Sequence, residues 1–405
     1  LIHIEIKAIE SDANSEERMQ SLGEFFGQRR RLLVGVDISD TQVCLVSLSR
    51  HAGRFRVEGY CIGELEQGAV EEGVIREVDA VAYCLKRLVK RMGIKTHAAA
   101  LAIKSGSAFT KGVMFEPTLT RREIEELMLV EAESSLPYAL DEVYLDYAMA
   151  DETIAGAQLL GVSRFPNSLS VAAHRHQKML LVACKHDVLD PRVRAAEQAQ
   201  LQVEAVDLES FALQRALFRR ADRKAGEHSG QQLAEQTGLV ALILLESTLS
   251  SVHLFRGGEH KLSWDWRRKQ AGAASAFGSL PLDIDASGLD DFDAYIRGET
   301  RGKTSDVGAD RCQAIANEIA TQVRLAISQL PSDDVASALS LVILGGVDAQ
   351  AAGLAATTAE SLLCQVELAN PFLDMTLAED LDPLIVDQDA PLLMVACGLA
   401  LRKVG

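Results

Sequence analysis

The sequence predicts an α/β protein built from two similar halves. A strand–turn–strand unit occurs twice, at residues 32–48 (LLVGVDISDTQVCLVSL) and 239–255 (LVALILLESTLSSVHLF). Each copy runs through a Gly-containing turn into a third strand, RFRVEGY (54–60) and KLSWDW (261–266). Recurrence of one unit so far apart along the chain indicates a duplicated fold. Setting Asp37 opposite Leu244 aligns Ser39 with Glu246 and Thr41 with Thr248. Apolar strand segments alternate with stretches of helical period, which supplies the α/β reading.

After the first unit, residues 77–92 carry apolar positions at helical spacing and meet Gly93, a stop signal. AAALAI (98–103) reads as a buried strand and 108–115 as another. Thr120 and Glu123 fit a capping box, in which hydroxyl and carboxylate satisfy two free amides at a helix start. That helix ends at Pro137. Residues 142–149 alternate like a half-buried strand, and MLLVAC (179–184) reads as a buried one. A helix at 190–200, a strand at 202–207 and a helix at 208–220 close the first half.

Residues 221–238 are polar and without apolar period, as a linker is. The second half, 239–405, contains a Gly-, Ala-, Ser- and Asp-rich stretch at about 270–310, expected to be irregular. A helix at 311–330, a strand at 340–344 ending at Gly345-Gly346, a further helix, a strand at 365–368 and a helix at 391–402 follow. At the other end, residues 1–30 read as a tail. Met19 is the expected natural start, and peptides upstream of it in the native protein would reject that. Phe25, Phe26 and Arg29–Arg31 read as a capping segment before the first strand, with contact to an anionic membrane surface as the other reading.

Composition narrows the function. The chain has 405 residues, 48% hydrophobic and 24% charged, with 41 basic against 58 acidic side chains for a net charge of −17. A surface built for nucleic acid is thereby disfavoured. The 7 cysteines are scattered without a C-x-x-C, as in a reducing cytoplasm. No apolar run approaches the roughly 20 residues of a membrane span.

Chemistry concentrates at the first turn. Asp37 ends a strand beside small residues, where an acid holds Mg²⁺ through water while turn amides and the Ser39 and Thr41 hydroxyls meet phosphate oxygens. An ordinary hairpin turn has the same pattern. Gly345 and Gly346 follow a buried strand, and glycines there let backbone approach a nucleotide closely; a plain strand-to-helix turn is the bland alternative.

Taken together, LLVGVDISDT, GAVEEGVI (68–75), ALAIKSGSAFTKGV (100–113), EAESSLPYALDEVYLDY (131–147), VEAVDLESFAL (203–213), LVILGGVDAQAAGL (341–354), VELANPFLDM (366–375) and MVACGLALR (394–402) resemble the PilM family of type IV pilus assembly proteins. These are relatives of the cell-division protein FtsA, within the actin-like ATPase superfamily of actin, heat-shock chaperones and sugar kinases. The resemblance runs from about residue 19 to the C-terminus. It implies an actin-like fold of two ribonuclease-H-like halves, the first (31–220) carrying an inserted strand-helix-strand-strand module at about 109–184. It further implies ATP and Mg²⁺ in the cleft between the halves, and a cytoplasmic protein held at the inner membrane by the short cytoplasmic tail of PilN, bound as an extended peptide beside the module.

Departures from the family pattern point away from turnover. The family has Asp-Ile-Gly at the second turn, where this chain has Leu244-Leu245-Glu246. An acid is lost on the magnesium side, and a glutamate brings bulk and negative charge where phosphate approaches. The 270–310 stretch also lacks the family's Gly-Gly and regular helix. Asp207 is a weak candidate for orienting attacking water, with a helix N-cap as its other reading. The expectation is a scaffold with a degenerate cleft; an active ATP-hydrolysing switch, or a small-metabolite kinase of the same superfamily, are the alternatives. His174, His176 and His186 lack metal-ligand spacing. Trp264 and Trp266 read as packing, and Arg267, Arg268 and Lys269 as a solvated edge.

Overall fold

The computed structural model describes residues 31–51, 54–93, 96–149, 177–218, 238–268, 309–331 and 338–404. The expected tail with Met19, nearly all of the linker at 221–238, nearly all of the 270–310 stretch, and His174, His176 and Lys269 lie outside the described residues.

The first half opens with an antiparallel meander of β1 (Val34–Ile38), β2 (Gln42–His51) and β3 (Arg54–Glu64). A short hairpin, Val70–Glu71 with Val74–Ile75, turns through Glu72 and Gly73, both at positive φ. Helix α1 (Val78–Met92) forms because Val81, Ala82, Leu85, Leu88 and Val89 share one buried face, and Gly93 stops it in the left-handed conformation. Strand β4 (Ala98–Ile103) then lies parallel to β1.

The inserted module follows: β5 (Ala108–Phe115), α2 (Arg121–Ser135), β6 (Val143–Met149) and β7 (Gln177–Lys185), with sheet order β5-β7-β6. Both bonds of the Thr120–Glu123 capping box are present. Met128 and Ala132 of α2 pack on Val113, Phe115, Met179 and Leu181, giving the module its own core. Helix α3 (His186–Gln198), β8 (Gln202–Leu208, parallel to β4) and α4 (Glu209–Leu217) complete the half.

The second half repeats the plan. Strands β9 (Leu239–Leu245), β10 (Leu249–Arg256) and β11 (Glu259–Arg267) form the meander. Helix α5 (Ala309–Ser328) leads to β12 (Leu339–Gly346), parallel to β9, and α6 (Leu354–Leu362) to β13 (Gln365–Leu368), parallel to β12. The sheet orders are β11-β10-β9-β12-β13 and β3-β2-β1-β4-β8, the latter extended beyond β3 by β14 (Thr376–Leu377). Both sheets thus read third-second-first-fourth-fifth along their own half. The module enters between β4 and α3, where the second half has only a turn.

Helices α7 (Pro383–Asp389) and α8 (Met394–Ala400) end the chain. The helix expected at 391–402 is a 3₁₀ turn at Ala390–Leu392 followed by α8. Every residue of α8 is buried, because it lies with α4 between the two sheets. Only glycines permit the approach: a Cβ on Gly35 would sit 1.9 Å from the Ala396 carbonyl oxygen, and one on Gly398 1.9 Å from that of Ala212. The layers run α1 and α3, first sheet, α4 and α8, second sheet, α5 and α6. No single described helix is long and apolar enough to cross a membrane.

Candidate functional site: the cleft between the halves

At the first turn, β1 brings Asp37 to the end of the sheet, opposite Cys44 of β2. Burial pushes its carboxyl up to about 6, opposed by Lys104 and aided by Glu209. Ser39 spends its groups inside its own turn, its amide and hydroxyl both donating to the Gln42 carbonyl at 2.9 and 3.2 Å. Thr41 keeps a buried hydroxyl without a hydrogen-bond partner. Asp40, which the sequence did not single out, accepts the Gly73 amide at 2.8 Å and the Thr248 hydroxyl from the other half. That hairpin amide explains why GAVEEGVI sits where it does.

At the second turn, Leu244 pairs with Ser251, the same offset as Asp37 with Cys44, so the two are structural equivalents. Leu244 is buried in the core between the sheets. Glu246 is 7% exposed; its amide donates to the Ser250 hydroxyl at 3.1 Å, and its carbonyl accepts from Arg268 at 3.1 Å. Its carboxylate Oε2 has no partner. Burial pushes Glu246 up to about 7; Lys104 opposes this, while Asp37, Glu209 and Asp40 add to it.

Between the turns, Lys104 at the end of β4 donates to Glu209 Oε1 at 2.7 Å, both side chains buried. Burial disfavours the Glu209 carboxylate, but Lys104 and His253 outweigh it and hold it down at about 2. Glu209 Oε2 lies 3.6 Å from His253 Nε2 of β10, and His253 Nδ1 lies 2.8 Å from the Ser263 hydroxyl. Arg192 of α3, 1% exposed, donates to the Ala102 and Gly73 carbonyls at 3.1 and 2.6 Å. Asp265 of β11 leans on the backbone of Gly106, where a Cβ would stand 2.3 Å from Oδ2. Sequence reasoning missed Lys104, Arg192, Glu209 and Asp265. The available signal was a charged residue on an otherwise apolar face, as in AAALAIK and VDLESFAL.

Other expected residues stand elsewhere. Asp207, the water-orienting candidate, is 3% exposed and ion-paired to Arg402 at 2.8 Å and to Arg215. Its Oδ1 accepts the Leu208 amide, and α4 begins one residue later, at Glu209. Asp207 therefore ties the end of α8 to β8 and α4, and its acceptors are occupied. Gly346 has φ +89 and its missing Cβ would meet the Leu245 backbone at 2.5 Å, so strand packing accounts for that glycine; Gly345 faces Leu244 and the Pro391 carbonyl. Arg268 corrects the solvated-edge expectation: it is half-buried and bridges Asp348 and the Glu246 carbonyl, while the exposed Arg267 crosses the cleft to Glu72 at 2.7 Å. Trp266 is buried and Trp264 packs beside it, as expected. His186 packs at a tilt against the Tyr144 ring, and no three His, Cys, Asp or Glu side chains among the described residues group as a metal site.

The family described as type IV pilus assembly protein PilM matches residues 35–404 of the chain. The chain belongs to this family. A chain solved as a PilM–PilN type IV pilus biogenesis complex is 18% identical at a TM-score of 0.66, with 92% of this chain and 98% of that one covered. Looser likenesses include the ethanolamine utilization protein EutJ from Carboxydothermus hydrogenoformans, 12% identical at 0.43 over 92% of this chain and 89% of that one. MreB5 of Spiroplasma citri bound to ADP is 11% identical at 0.39, over 91% and 94%. The two-half α/β fold expected from the sequence is shared with the PilM–PilN chain.

Proposed function

We propose that the chain is a scaffold of a type IV pilus assembly machine, holding the cytoplasmic tail of a PilN-like inner-membrane protein and not turning over nucleotide. Family membership supports the machine, and the PilM–PilN relative supports the partner. The tail docks as an extended peptide along β6, the outer strand of the module, whose free edge has no strand partner among the described residues. Beside it lies a cavity of about 420 Å³ lined by Tyr144, Leu189, Asp190, Val193 and Arg194, a mixture of apolar and charged side chains. On this reading the protein works on the cytoplasmic side of the inner membrane, attached through its partner.

The observation that carries the non-catalytic half is the charge of the cleft. Asp37, Asp40, Glu209, Glu246 and Asp265 face Lys104 and Arg192, and Lys104 is already engaged by Glu209. A triphosphate entering there meets carboxylates, and among the described residues the cation at the second turn, Arg268, is already engaged by Asp348 and the Glu246 carbonyl, which supports a cleft that does not turn over nucleotide. Binding of a fluorescent tail peptide to the full chain tests the docking site. V193E/R194E is expected to weaken it tenfold or more; unchanged affinity would remove the cavity from the interface.

A further inference from the structure

Charge is segregated along this chain. Residues 80–115 hold seven Lys and Arg and not one Asp or Glu, whereas residues 325–401 hold eleven Asp and Glu and not one Lys or Arg. With 58 acids in 405 residues, composition alone would put about five in the first stretch. Helix α1 displays the basic excess. Tyr83, Lys86, Arg87, Lys90 and Arg91 form its exposed stripe, opposite the buried Val81, Ala82, Leu85, Leu88 and Val89. Tyr83 is 63% exposed, and the Arg87 guanidinium lies 5.7 Å from its ring centre. The stripe continues onto the sheet beyond the end of the helix. Gly59 and Gly63 of β3 face α1, where a Cβ would meet Met92 at 3.5 Å and Cys84 at 2.9 Å. Phe55 and Val57 point to the opposite face, into the core against α8. Arg54 and Arg56 therefore fall on the α1 side, Arg56 about 10 Å along the strand from Gly59. Arg54 is exposed and Arg56 half-buried. Glu58 offsets one of these charges, at 3.8 Å from Arg56. Lys90 and Arg91 also suit a helix C-terminus, whose dipole favours cations, but that accounts for neither Lys86 nor the strand arginines.

We propose that the exposed face of α1, with Arg54 and Arg56 of β3, is a docking surface for anionic lipid headgroups, on which the protein lies against the membrane beside its partner. Charge complementarity selects an anionic surface. Two placements select a membrane over an acidic protein. Helix α1 packs against α3, and Leu189, Asp190, Val193 and Arg194 of α3 line the cavity assigned to the tail, so the basic face and the tail site share one outer layer. The acid-rich stretch puts exposed Glu360 on α6 and Glu367 on β13, in the layers farthest from α1 and turned away from the lipid. The choice of lipid rests on the scaffold reading, in which the tail belongs to an inner-membrane protein. Tyr83 among the cations suits the headgroup region, where a ring buries its body and keeps its hydroxyl wet. Each cation near such a surface is worth about fivefold in binding, and a tail already held in the same membrane multiplies the total.

Co-sedimentation of the full chain with vesicles tests this, using phosphatidylcholine with and without about 30% phosphatidylglycerol. The wild type is expected to bind the anionic vesicles at least about tenfold more tightly than the neutral ones, and to let go as salt rises. K86E/K90E is expected to lose about tenfold or more of that affinity while keeping its melting temperature and its affinity for the tail peptide. R121E/R122E makes the same change in net charge on α2, where both arginines are exposed, and is expected to bind vesicles as the wild type does. Equal binding of the wild type to both vesicles overturns the proposal. So does unchanged anionic binding in K86E/K90E, or an equal loss in R121E/R122E. Salt-sensitive binding to soluble poly-glutamate without vesicle binding assigns the face to an acidic protein and overturns it too. Failure of the tail peptide to bind, with vesicle binding intact, overturns the scaffold reading instead and leaves the basic face standing.

Discussion

The two turns share a backbone and differ in what they carry. Asp37 opposite Cys44 and Leu244 opposite Ser251 have one register, so the main-chain pairing of the first two strands of the meander is the same in both halves. The first turn ends in an acid, a buried free hydroxyl on Thr41 and an aspartate that receives an amide. The second ends in a leucine buried between the sheets and a glutamate turned into the cleft. A β-meander is specified by its strands, and all seven residues of β9 are buried, so the side chains at the turn can change without altering the topology. Burying Leu244 in place of an acid contributes about 2 kcal/mol to the layer between the sheets. Ligand chemistry depends on three or four side chains; topology depends on dozens.

That contrast breaks first at Lys104. K104M leaves Glu209, Asp37 and Glu246 buried without their cation, and a loss of about 3–5 kcal/mol in denaturant unfolding is expected. A loss below 1 kcal/mol would mean the cleft does not rely on that charge. D207N is expected to cost about 3 kcal/mol by releasing Arg215 and Arg402, with tail-peptide affinity unchanged, since Asp207 serves the joint between α8 and α4. Reduced peptide binding by a stable D207N would contradict that assignment. Restoring symmetry at the turns is the sharper manipulation. L244D/E246G returns an acid and a glycine to the second copy and is expected to raise ATP-analogue binding at least tenfold over the wild type, at a cost of about 3 kcal/mol for the buried aspartate. No gain would place the obstacle elsewhere in the cleft. The smallest effect belongs to the rim: R267E is expected to change unfolding stability by less than about 1 kcal/mol, because the Arg267–Glu72 pair is largely exposed.

The duplicated meander and the module were legible because their signals are local. AAALAI became β4 and residues 108–115 became β5 at the expected boundaries, and Thr120 caps α2 through the bonds its spacing promised. The cleft was legible only in part. Asp37 was found from its strand end, yet its neighbours come from far along the chain: Lys104 meets Glu209 and Asp40 meets Thr248 only after both halves have packed. Arg267-Arg268 looked like solvated charge because nothing nearby in sequence offers the acids they meet, Glu72 and Asp348. Asp207 sits at the strand–helix junction that the family pattern makes suggestive, but its two arginine partners lie in α4 and beyond α8. Pattern identifies the element on which a charge sits; packing decides what that charge is for.

The difference between the turns is tested most directly by titrating a fluorescent ATP analogue with Mg²⁺ into the full chain, wild type and D37A side by side. A scaffold whose cleft is filled by its own side chains gives no saturable binding in either protein, and tail-peptide affinity that ATP does not alter. Micromolar binding to the wild type that D37A abolishes would contradict it, and would make the first turn a working phosphate site despite Leu244 and Glu246.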